Sequence, residues 1–241
     1  MTREHDVFCL GSHRFVRILF NIGYVREGDM TLQFKFFEET QSRHIASEGF
    51  HYQPELIAQR DEEALVAHIR ELPFREFEFH GYLGKRRVVS FGWQYDFSGQ
   101  RLRKADDIPE FLLPLRALAA PLAHLEPHEF QHVLVTEYAP GAGIGWHRDK
   151  AVFGRVVGIS LLAPCVLRFR KKAGEKWERS NIPIDPRSAY VLTGPSRLMW
   201  QHSISRVDQL RYSITFRNLL EEQPQQAQKK RNKLTFSNHA S

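Results

Sequence analysis

The feature that most constrains the fold is a run of short, punctuated segments between residues 132 and 219. Strands are expected at His132–Tyr138, Val156–Leu162, Val166–Arg170, Ser188–Leu192, Met199–Ser203 and Arg211–Leu219. Pro140-Gly141, Ala163-Pro164, Lys172-Ala173-Gly174 and Gly194-Pro195 break them, each favouring a turn over a continued ladder. Many short strands at this spacing point to a closed or double-sheet antiparallel architecture, with a jelly roll as the leading choice. Upstream, Asp61-Glu62-Glu63 opens an amphipathic helix with Leu65, Ile69 and Leu72 on one face, ended by Pro73. Strands at Phe77–His80 and Val88–Phe91 are expected around a Gly81–Arg87 turn. A second helix is expected from Pro109 to about His124, with Leu112, Leu115 and Leu118 inside. The fold class is therefore mainly β with flanking helices.

With 241 residues, 42% of them hydrophobic, the chain can build one domain with a real core. That domain is expected over residues 48–220. Residues 1–47 carry no sustained period and read as an irregular extension, with Met30 as an alternative start. Residues 221–241 are polar, then basic, and are expected to be a disordered tail. The apolar stretch Phe15–Val25 is interrupted by Arg17 and is too short for a membrane span. Cys9 and Cys165 are far apart, which fits a reduced, intracellular and cytoplasmic setting. A monomer is expected, with no membrane partner. The net charge of +6 suits a polyanionic partner, although basic surfaces are as often merely solvated.

The chemistry gathers in the strands. In an extended strand alternate side chains point the same way, so His147 and Asp149 of His147-Arg148-Asp149 project together. A third ligand, His202, lies on another expected strand. Two histidines and one aspartate with positions left open make the facial arrangement of non-haem Fe(II) oxygenases. The competing reading is chance, since a chain with 12 histidines easily contains His-x-Asp. Further on, Arg211-Tyr212-Ser213-Ile214-Thr215-Phe216-Arg217 alternates, placing both arginines on one face. Two inward guanidiniums are costly to desolvate unless an anion joins them, and a dicarboxylate would do so. If that face is solvated instead, the arginines are ordinary.

In order, Tyr138-x-Pro-Gly, His147-x-Asp149, His202 and Arg211-x5-Arg217 resemble the AlkB family of Fe(II)- and 2-oxoglutarate-dependent dioxygenases. The resemblance covers about Gly49 to Leu220 and implies a double-stranded β-helix (jelly-roll) core. It implies Fe(II) on His147, Asp149 and His202, with 2-oxoglutarate and O2 as co-substrates. Arg211, helped by Tyr138, would grip the distal carboxylate, and Arg217 would lie by the carboxylate next to the keto group. Many relatives carry asparagines where this chain has Thr136 and Ser213, which can still hydrogen-bond the co-substrate. Lys150 is followed by Ala151 and Val152, without the second acid of some DNA-repairing members. The segment Phe91 to Gly99 resembles the family's substrate lid, so Phe91, Trp93 and Tyr95 are expected to flank an entering base, unless they pack the core.

The implied partner is a nucleic acid with alkylated bases, single-stranded or flipped from a duplex. The implied activity is oxidative dealkylation of damaged bases in DNA repair, extending to RNA. Lys85-Arg86-Arg87, Arg101-x-Arg103-Lys104 and Arg168-x-Arg170-Lys171-Lys172 would serve the phosphates. The alternative is a dioxygenase of the same fold that hydroxylates a protein side chain or a small metabolite.

Overall fold

The structure, a computed structural model, describes residues 48–79, 82–96, 99 and 101–220. The expectations for residues 1–47 and 221–241 lie outside this range. Two antiparallel sheets stack face to face as a jelly roll, and helices cover the outer side of the larger one.

The larger sheet has seven strands, and β13 (Arg211–Leu219) lies at its centre. On one side follow β8 (Phe153–Leu161), β11 (Ala189–Leu192) and β1 (Phe50–Gln53). On the other follow β6 (Phe130–Tyr138), β3 (Tyr82–Phe91) and β2 (Arg75–Phe79). The smaller sheet runs β10 (Lys176–Ile184), β9 (Cys165–Ala173), β12 (Gln201–Ile204) and β7 (Ile144–His147). A separate hairpin pairs β4 (Trp93–Asp96) with β5 (Arg101–Lys104).

The period-2 geometry of a strand gives the large sheet two chemically different faces. Val133, Val135, Val157, Ile159, Tyr212, Ile214 and Phe216 point to the helices and make one core. Helix α1 (Gln59–Arg70) supplies Leu65, Val66 and Ile69 to it, and helix α2 (Leu113–Ala119) supplies Leu115 and Ala119. The opposite face meets the small sheet, where Phe50, Val156, Leu167, Phe169, Ile184 and Leu192 form a second core. That core fills only part of the gap; the rest of this face is polar. Tyr190 lies directly over Gly158, where any Cβ would come within 2.3 Å of its ring, so this strand position must stay bare.

Several expected elements differ. The Gly81–Arg87 turn is not one: β3 already pairs from Tyr82, and 85–87 lie within the strand. The second helix is shorter and broken, with 3-10 turns at Glu110–Leu112 and Pro121–Ala123 around α2, and its Leu118 faces solvent. Met199 belongs to the end of a short helix, α3 (Gly194–Leu198), so β12 begins at Gln201. β1, β7, β10 and the β4–β5 hairpin carry mixed polar patterns that periodicity alone does not flag. No helix among the described residues is long and apolar enough to cross a membrane.

Candidate active site

The two sheets bring His147, Asp149 and His202 together: one potential ligand atom of each lies within 4.8 Å of the others. β7 and β12 are neighbours, and His147 and His202 are direct cross-strand partners with ring centroids 4.2 Å apart. The expected reason for the placement of Asp149 is corrected. β7 ends at His147, so Asp149 converges from the connection that follows rather than by strand alternation.

That connection is held from behind by Arg197, a buried residue that the sequence reading missed. Its guanidinium donates to the carbonyl oxygens of Lys150 (2.6 Å), Phe153 (2.7 Å) and Gly154 (3.1 Å). Asp149 Oδ1 accepts from Arg217 Nη2 at 3.0 Å, while its Oδ2 is buried without a partner among the described residues. Burial alone would raise the Asp149 pKa. The positive charge of Arg217 overcomes this and holds the carboxyl well below its usual range. Burial pushes His202 down to about 3, with His147 adding to the shift, and it lowers His147 as well. Both rings are thus neutral with lone pairs to offer. His147 Nδ1 lies 2.9 Å from the Gly145 carbonyl; an N–H donated there leaves the other ring nitrogen as the ligand.

Deeper between the sheets, Arg211, Tyr138, Thr136 and Ser213 share the polar face, where Arg211 pairs with Tyr138 and Ser213 with Thr136. All four are buried. Arg211 Nε donates to Ser160 Oγ at 3.0 Å, and its Nη1 and Nη2 are buried with no hydrogen-bond partner among the described residues. Burial raises the pKa of Tyr138 against the opposing charge of Arg211, so its hydroxyl keeps its proton. Ser160 and Tyr190, both missed, border the same guanidinium, and Tyr190 is pushed up by burial in the same way. The two arginines differ in what the protein itself gives them. Arg217 already has a carboxylate in Asp149, with His132 Nδ1 3.5 Å from its Nη1. Of the two, Arg211 is the one without a counter-ion among the described residues.

These orphaned atoms test whether the expected groups fit. Unsatisfied buried polar atoms are rare and costly. Here a carboxylate oxygen and an imidazole nitrogen are orphaned at the triad, and two guanidinium nitrogens at Arg211. A divalent cation suits the first set and a carboxylate suits the second.

The aromatic trio divides. Phe91 is 6% exposed and packs in the helix-side core, on the same face as its cross-strand partner Val133. Trp93 and Tyr95 are half-buried on β4, and the Lys150 ammonium, next to Asp149 in the chain, lies 5.0 Å from the centre of the Tyr95 ring. The basic clusters divide too. Arg87 pairs with Glu137 at 2.7 Å, Arg103 with Asp96 and Lys104 with Asp107. Arg86 instead sits on the inter-sheet side, in line with Tyr138 and over the Phe77 ring at 3.9 Å.

Comparison with known proteins agrees with this geometry. The sequence model of the 2OG-Fe(II) oxygenase superfamily matches residues 30–236. "Uncharacterized protein L905" of Acanthamoeba polyphaga mimivirus is 32% identical over 103 residues, 37% of this chain and 49% of that protein. "Alkylated DNA repair protein ALKBH8 homolog" of Arabidopsis thaliana is 22% identical, covering 56% of this chain and 47% of its own. "tRNA (carboxymethyluridine(34)-5-O)-methyltransferase ALKBH8" of Mus musculus is 24% identical over 72% of this chain and 27% of its own. The chain thus spans half or less of the length of these relatives. The solved structure titled "The structure of OsALKBH1" superposes with a TM-score of 0.54 at 17% identity, over 71% of this chain and 97% of that one.

Proposed function

Since this chain belongs to the 2OG-Fe(II) oxygenase superfamily and is AlkB-like, we propose that it oxidatively removes alkyl groups from nucleic-acid bases. The superfamily uses Fe(II), 2-oxoglutarate and O2. His147, Asp149 and His202 would hold the metal. Arg211 would pair with the distal carboxylate of 2-oxoglutarate, with Tyr138, Thr136 and Ser213 as neutral hydrogen-bonding neighbours. Arg217 holds the Asp149 carboxylate in place and would keep a positive charge beside the co-substrate's other end.

When bound, the iron and 2-oxoglutarate supply the activation of O2. One oxygen atom ends in succinate, with loss of CO2, and the other in a hydroxyl on the alkyl carbon. A hydroxymethyl on a base nitrogen then releases formaldehyde and leaves the free N–H. The chain's own share is placement. His147 and His202 stay neutral, Arg217 aligns Asp149, and Arg197 keeps the Asp149 connection from drifting. A buried, shaped site protects the oxidant from side reactions.

The observation that carries the choice of substrate is Lys150 against the face of Tyr95, one residue from Asp149. An aromatic face and a cation at the rim of a metal site suit a base and its phosphate. The names of the relatives, one for alkylated DNA repair and one for a tRNA methyltransferase, support the same class. The test is aerobic turnover with Fe(II) and 2-oxoglutarate on methylated single-stranded DNA and RNA oligonucleotides, followed by mass. Succinate formation that no methylated strand stimulates, and no loss of methyl mass, would refute it.

A further inference from the structure

The outer face of the small sheet, which no step above uses, is built unlike an ordinary solvated surface. Strand alternation directs Arg168, Arg170 and Lys172 of β9 outward, together with Trp177 and Arg179 of β10. Arg170 and Arg179 are direct cross-strand partners, and like charges placed opposite each other destabilise a sheet. None of these four cations is ion-paired with a carboxylate among the described residues. Lys171, by contrast, points to the other side and pairs with Glu48 at 2.7 Å.

Two indoles lie among the charges. The Arg170 guanidinium is 4.5 Å from the ring centres of both Trp146 and Trp177, and Arg168 is 5.3 Å from Trp146. Arg168 Nε is held by Ser203 and Arg170 Nε by Gln201, which fixes both guanidinium planes. Trp177 remains 40% exposed. Fixed cations beside an exposed indole suit a strand of phosphates whose bases are free to stack. The face also leads to the metal site. Trp146 is on β7, the edge strand of the sheet, and its chain neighbour His147 points inward. A strand lying on this face needs to round only one β-strand to present a base.

We propose that this face of Trp146, Arg168, Arg170, Trp177 and Arg179 is the docking surface for single-stranded nucleic acid. The proposal rests on the base-oxidation reading and extends it. The test uses fluorescence anisotropy of the full chain with a fluorescein-labelled single strand of about 15 nucleotides, the site size of one binding groove. Arg179→Glu should weaken binding about tenfold and flatten the log–log salt dependence by about 0.7 or more, because a phosphate contact is lost. It also puts a carboxylate opposite Arg170, so its melting temperature should not fall. Trp177→Ala should weaken binding about tenfold with the salt slope unchanged, because stacking releases no counterions. The same sequence as a duplex, with its base faces hidden, should bind more weakly. Wild-type affinity in both variants would overturn the proposal, as would equal affinity for the duplex. If the variants lose binding but the wild-type protein turns over no methylated strand, the docking surface stands and the base-oxidation reading falls.

Discussion

At the scale of single residues, the site separates two kinds of arginine that look alike in the sequence. Arg217 is neutralised within the protein by Asp149, whereas Arg211 is buried with two guanidinium nitrogens unpaired. Arg211→Ala should therefore raise the apparent KM for 2-oxoglutarate by about a hundredfold or more, since removing one side of a buried pair costs roughly 3–5 kcal/mol. Arg211→Lys should recover only part of this, because a point charge does not reproduce the planar fork. An unchanged KM in steady-state succinate assays would remove Arg211 from co-substrate binding. Alanine at His147, Asp149 or His202 should abolish iron-dependent turnover in a protein that still folds, checked by bound iron and by circular dichroism. The triad was legible only in combination, because His147-x-Asp149, His202 and Arg211-x5-Arg217 follow one another in order. Arg197, Ser160 and His132 were not, because their roles arise from contacts 43 to 85 residues apart in sequence, such as Arg197 to Gly154 and Arg217 to His132.

At the scale of elements, the connection from β7 to β8 is where local sequence says least and function depends most. Asp149 has no strand to aim it, so its place is set by Arg217 in front and Arg197 behind. Arg197→Met should leave three carbonyls without their charged donor and cost roughly 2–4 kcal/mol. Its iron affinity should drop as well, measurable as a weaker Fe(II) dissociation constant beside an earlier urea midpoint. Loss of stability with unchanged iron binding would show that the clamp does not reach Asp149. The helix α1 and strands β6, β8 and β13 were readable because their apolar residues repeat at the right period. β7 and β10 were not: β7 is four residues with a register shift, and β10 alternates around charged and polar side chains.

At the scale of the molecule, the site burdens the fold with buried imidazoles. His132, His147 and His202 are all held below the ordinary value of 6.5 by burial, His202 down to about 3. In the unfolded chain each takes a proton near pH 6.5. The unfolded state therefore binds more protons between pH 6.5 and 3, so stability is full above that window and falls on acidification. The slope is roughly 1.4 kcal/mol per pH unit for each histidine fully engaged. Urea unfolding of the iron-free protein at pH 7.5 and 5.5 should show this loss, and a pH-independent midpoint would contradict it. The jelly roll itself was visible in the turn punctuation, but the order of its strands was not, since pairing between distant segments leaves no local trace. That order has a consequence for biosynthesis. β13, the last strand to be made among the described residues, is the middle of the seven-stranded sheet, between β6 and β8. Until it emerges at about 5–20 residues per second, a nascent chain has two open sheet edges where its centre will be. Those edges are templates for pairing with another chain, so a ribosome stalled before residue 211 would release a species prone to aggregate rather than a partly working enzyme.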